Sequence, residues 1–104
     1  MKNIIKNLIY ESILEFNESG FNKKIDTSEN ANIFGENSEL DSFGFVNFIV
    51  ILEEKIFDFT GEDITIVSDK AFSKKHNPFK TVNQLEAFIK EILEEKEYDL
   101  SDNG

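Results

Sequence analysis

Eight of the ten residues from Phe43 to Leu52 are apolar, and this run constrains what the chain can fold into more than any other feature. Such a segment must be buried, either as a core strand or as a helix packed on several sides, and periodicity alone does not separate the two. Its flanks do. Asp41 and Ser42 before it are both good helix N-cap residues, and Glu53-Glu54-Lys55-Ile56 after it suits a helix end. The run therefore predicts a helix from Asp41-Ser42 to Ile56, buried on several sides.

Three further segments carry helical signals. From Lys2 to Asn17, the residues Ile5, Leu8, Ile9, Ile13 and Phe16 recur on one helical face. Thr81 and Gln84 have the spacing of a capping box, and Val82, Leu85, Phe88, Ile89, Ile92 and Leu93 form an apolar face to about Glu95. A brief helical turn, capped by Ser68 or Asp69 and ending near Ser73, precedes Pro78. Between Glu62 and Val67 the sequence alternates like a strand, but one short strand without a partner is not stable, so an extended connection is expected. The polar stretch from Gly20 to about Glu39 is a long loop, pinned by Phe21, Ile25, Ile33 and Phe34. The expected fold is all-α, a small bundle of three main helices plus one short helix. It forms one domain over residues 1–96, with a frayed polar tail at 97–104.

Charge and chemistry narrow the function. With 21 acidic residues against 11 basic ones the net charge is −10. Such a surface repels phosphate backbones and anionic headgroups, which argues against nucleic acid and membranes and for basic protein partners. No cysteine is present, so disulfides, thiolate metal ligands and a cysteine nucleophile are all impossible. The first residues lack the continuous apolar run of a signal peptide, and no later stretch spans a bilayer, so the expected compartment is the cytoplasm; a monomer is expected. His76, the single histidine, reads as a surface-loop residue, since nothing ties it to a serine as a base. Asp58 to Asp63 lacks the alternating ligands of a calcium loop, so no metal is expected.

The segment LDSFGFVNFIVILEEKI, Leu40 to Ile56, resembles the acyl carrier protein family. In that family an Asp-Ser-Leu motif opens the second helix, which ends in glutamates. Here the motif reads Asp41-Ser42-Phe43, and the ending reads Leu52-Glu53-Glu54. Phe79-Lys80-Thr81-Val82-Asn83-Gln84-Leu85 looks like the start of the family's last helix, so the resemblance covers about residues 2 to 95. It implies an acyl-carrier-protein-like bundle that is not an enzyme. It also implies a 4′-phosphopantetheine arm on Ser42, holding an acyl or aminoacyl group as a thioester. The implied partners are a phosphopantetheinyl transferase, an acyl-loading ligase, and acyl-transfer or condensing enzymes with basic docking surfaces.

The residues themselves are consistent with this. A serine at a helix N-terminus is exposed, and the unpaired N–H groups there favour a phosphate, although Asp41 and Glu39 oppose it. Alone, Ser42 reads as an ordinary N-cap; the flanking pattern and the downstream segment reverse that preference. Glu39, Asp41, Glu53 and Glu54 are the expected docking carboxylates, and Phe45, Val46, Ile49 and Val50, with Ile66 and Phe72, the expected lining of an acyl pocket. Gly44 in the first turn admits two readings, a partner's close approach or a tolerated glycine near a helix end. Phe43 in place of leucine, Gly44, Asn47 and the Lys55 interruption depart from the fatty acid carrier pattern and point to a specialised member. The competing function is a small acidic helical protein–protein interaction module without a prosthetic group.

Overall fold

The computed structural model describes residues 4–20, 25, 27, 32–34 and 40–97. Four helices are present among them: α1 (Ile4–Glu18), α2 (Ser42–Thr60), α3 (Asp69–Phe72) and α4 (Val82–Glu95). No strand is formed among the described residues; Asn32 and Thr81 make one isolated antiparallel bridge. The architecture is the expected all-α bundle of three main helices and one short one.

The core follows from the helical periodicities. α1 buries Ile5, Ile9, Ile13 and Phe16 and packs against both α2 and α4. Ser12 is buried on the same face, where its hydroxyl donates to the Leu8 carbonyl at 2.8 Å, so it leaves no unmet polar group. α2 contributes Phe45, Phe48, Ile49, Leu52 and Ile56, and α4 contributes Val82, Leu85, Phe88, Ile89, Ile92 and Leu93. Rings tie the layers together, with Phe16 edge-on to Phe48 at 6.4 Å.

α2 differs from the expectation in two ways. It continues past Ile56 to Thr60, where Gly61 adopts the left-handed conformation (φ 78°) and donates its N–H to the Phe57 carbonyl at 2.8 Å. It is also buried along one stripe rather than on several sides. A bundle this small has one core, which covers only the Phe45-Phe48-Ile49-Leu52-Ile56 stripe and leaves Phe43, Val46, Val50 and Phe57 exposed.

The connections are pinned as their apolar residues suggest. Ile25 and Ile33 are buried, and Asn17 clasps the Ile25 backbone in both directions, donating to its carbonyl at 2.9 Å and accepting its N–H at 2.8 Å. Ile33 and Phe34 donate their N–H groups to the Lys80 and Phe79 carbonyls, which ties this segment to the entry of α4. Phe21 lies outside the described residues. From Glu62 to Val67 no strand forms: the chain is irregular and bends at Ile66 and Val67, with Ile64 and Ile66 buried and Thr65 and Val67 exposed. The alternation there records contact with the bundle on one side only.

Candidate functional site

The α2 N-terminus separates two residues that look interchangeable in sequence. Asp41, not Ser42, is the N-cap: it has extended backbone (φ −86°, ψ 176°), and its Oδ1 accepts the Gly44 N–H at 2.8 Å. Ser42 is the first helical residue; it is exposed, and its hydroxyl makes no hydrogen bond among the described residues. The cap role that most readily explains such a serine is already filled by its neighbour.

Gly44 has an internal explanation. It is buried, and a Cβ there would lie 2.8 Å from Leu40 Cδ1, 3.2 Å from the capping Asp41 Oδ1 and 3.4 Å from Phe16 Cζ. The close approach is therefore that of Leu40 and the cap against the helix, not that of a partner.

Ser42 stands on the wall of a cleft of about 660 Å³ that runs beside α2. Phe45 and Ile49, almost fully buried, form its floor, with Val46 and Val50 on the α2 side. Val67, Ala71 and Phe72 form the opposite wall, and Phe34, Pro78 and Phe79 close one end. Five of the six residues expected to line a pocket do so. Ile66 does not: it is fully buried in the core, with Val67 turned to the cleft in its place. The rings at the closed end form a continuous array, Phe34 stacked on Phe45 at 4.3 Å and Phe45 tilted against Phe79 at 5.0 Å. A T-shaped contact at 6.2 Å then carries it to Phe88.

The expected docking carboxylates are not equivalent. Glu54 is exposed and Asp41 is exposed while capping. Glu53 is half-buried, and its Oε2 accepts the Ile66 N–H at 2.8 Å, so it holds the 62–67 connection onto α2. Glu39 lies outside the described residues.

The wall carrying α3 is held by charge. Lys74 donates to both carboxylate oxygens of Glu91 at 2.7 Å and lies over the Phe88 ring at 5.8 Å. Lys70 pairs with Glu95 and with Glu91, the latter at 2.9 Å. The hydrogen bonds from Lys74 and then Lys70 hold the Glu91 carboxyl below its ordinary range, while those to Glu95 and Glu91 hold Lys70 above the usual lysine value. Sequence reading missed this cluster. Lys70/Lys74 and Glu91/Glu95 each have i,i+4 spacing, but nothing in one dimension says that the two pairs face each other.

His76 and Asn77 also line the cleft. Asn77 Nδ2 donates to the Phe34 carbonyl at 2.7 Å, and its Oδ1 accepts the Phe79 N–H at 2.9 Å, which fixes the aromatic end. His76 is exposed and makes no hydrogen bond to Ser42, so no nucleophile–base pair is formed. Among the described residues no group of histidines and carboxylates is arranged to hold a metal ion, and no helix is long and apolar enough to cross a membrane. No protein-family model, curated protein or solved structure matches the chain.

Proposed function

We propose that this chain is a stand-alone acyl carrier protein, modified on Ser42 by a 4′-phosphopantetheine arm, that presents an acyl group to partner enzymes and catalyses nothing itself. The observation that carries the reading is Ser42: an exposed hydroxyl in the first turn of a long helix, with no capping duty, beside an apolar cleft. The arm supplies the thiol that a cysteine-free chain lacks, at the end of a flexible tether.

Attachment needs only the hydroxyl from this protein. Ser42 Oγ bonds to the β-phosphorus of coenzyme A as the pyrophosphate P–O bond breaks. Adenosine 3′,5′-bisphosphate leaves, and the hydroxyl proton passes to a base of the transferase. The phosphodiester then lies near the positive end of the α2 dipole, while the Asp41 carboxylate, which takes the Gly44 N–H, partly offsets that field. Partners are a phosphopantetheinyl transferase, an acyl-loading ligase, and acyl-transfer or condensing enzymes. The exposed α2 stripe of Phe43, Val46, Val50 and Phe57, bordered by Asp41, Glu54 and Asp58, suits surfaces with an apolar centre and a basic rim.

That same stripe favours the second reading, an interaction module without a prosthetic group, because it would bind basic partners whether or not an arm is present. Intact mass after incubation with coenzyme A and a promiscuous transferase separates the two. The carrier reading expects the mass of one phosphopantetheine on the native chain and none on Ser42→Ala. An unmodified native chain, or a modified Ser42→Ala, refutes it.

A further inference from the structure

We infer that the cleft beside Ser42 selects neutral aryl-bearing acyl groups and rejects carboxylated ones; the inference rests on the carrier reading above. Its volume, about 660 Å³, falls within the range of small-molecule sites. The selectivity follows from its walls. The floor ring, Phe45, is almost fully buried and held between Phe34 and Phe79, so the base of the cleft is rigid rather than pliable and the open aromatic face is that of Phe72. Phe72, on the facing wall, is 74% exposed and has no ring neighbour among the described residues. A planar aromatic group between these walls gives Phe72 a partner and covers Val46 and Val50, which are 55% and 48% exposed. A flexible alkyl chain of similar size must freeze several rotors to fill the same space, and an aryl group freezes few.

Charge supplies the second half of the selection. Lys74, the lysine on the lining, has both of its short contacts on the Glu91 carboxylate, so its charge is largely offset before a cargo anion arrives. Glu53, also on the lining, is anionic and shares one oxygen with the Ile66 N–H. A cargo carboxylate would lose water beside Glu53, and the other lining side chain able to carry positive charge, His76, is exposed, where an ion pair contributes little.

The test loads the native chain with phenylacetyl-, hexanoyl- or succinyl-phosphopantetheine from the corresponding coenzyme A thioesters and a promiscuous transferase, with loading read by intact mass. Each carrier thioester is then cleaved by hydroxylamine, whose nitrogen bonds to the acyl carbon as the C–S bond breaks and the thiol takes the proton. Dividing the rate for the free coenzyme A thioester by the rate on the carrier gives a protection factor that cancels intrinsic reactivity. The phenylacetyl group should be protected about three- to tenfold more than hexanoyl, the range an added aromatic pair supports, with succinyl unprotected. Phe72→Ala, at an exposed position that leaves the core intact, should bring phenylacetyl down to the hexanoyl value. The loaded native chain should also melt higher with phenylacetyl than with succinyl. Equal protection for the three cargoes, or the greatest for succinyl, overturns the inference while leaving the carrier reading standing. Failure to load any of them overturns both.

Discussion

At the scale of single residues, the α2 entry divides its labour between neighbours, and substitution should reveal the division. Asp41→Ala removes the oxygen that accepts the Gly44 N–H, so urea unfolding should show a loss of about 1 kcal/mol, typical of a lost cap. Ser42→Ala touches no hydrogen bond among the described residues, so stability should stay within about 0.5 kcal/mol of native, and under the proposed carrier function the variant should take up no arm. Gly44→Ala tests the packing explanation. Alanine would ordinarily add up to about 1 kcal/mol in a helix interior. Here its methyl meets buried Leu40 at 2.8 Å and the cap oxygen at 3.2 Å. Overpacking of this kind costs about 1–3 kcal/mol, so the variant should be less stable than native; a stabilised Gly44→Ala would show that Leu40 swings aside freely.

Among elements, the cleft wall depends on two kinds of contact that differ in their response to solution conditions. The 62–67 connection hangs on Glu53 and the Ile66 N–H. Glu53→Leu leaves that buried donor without its acceptor and should cost about 1–3 kcal/mol, whereas Glu53→Gln keeps an acceptor and should cost less. α3, which buries only Ala71, is held to α4 by Lys70, Lys74, Glu91 and Glu95. The depressed Glu91 carboxyl contributes stability above its unfolded value, near the ordinary 4.5, and that contribution is lost as pH falls through the lowered folded value. Raised Lys70 contributes below its unfolded value near 10.5, and loses it as pH rises through the raised folded value. Amide exchange at Ala71 and Phe72, corrected for intrinsic rates, should therefore show protection across the neutral range that falls as the pH drops below the ordinary carboxylate value of 4.5 and again as it rises past the ordinary lysine value of 10.5. Flat protection through the acid limb would mean that the ion pairs do not hold α3. The helices themselves were legible in sequence because periodicity and caps are local, as Thr81 accepting the Gln84 N–H at 3.2 Å illustrates. The end of α2 was not, because Phe57 and Phe59 lie off the buried stripe, and only the left-handed Gly61 ends the helix.

For the whole molecule, a net charge of −10 sets global and local stability against each other. Self-repulsion opposes the compact state and is screened by salt, so the melting temperature should rise between about 0.01 M and 0.5 M sodium chloride. The same salt weakens the exposed Lys–Glu pairs, so exchange protection in α3 should fall as Tm rises. If both moved together, the α3 wall would follow global stability instead of its own contacts.

The sequence by itself determined the three long helices and the short fourth one, because apolar spacing and capping residues are local properties of the chain, and it singled out Ser42 through the equally local Asp41-Ser42-Phe43 pattern. Only the tertiary structure decided that Asp41 caps so that Ser42 is free of that duty, that Gly44 accommodates Leu40, and that Ile66 belongs to the core while Val67 faces the cleft. It also decided which apolar residues of α2 are left uncovered. A run of eight apolar residues states how much surface seeks burial, but which side obtains it depends on where α1, α4 and the 62–79 segment lie. Those positions follow from contacts between residues far apart in the chain.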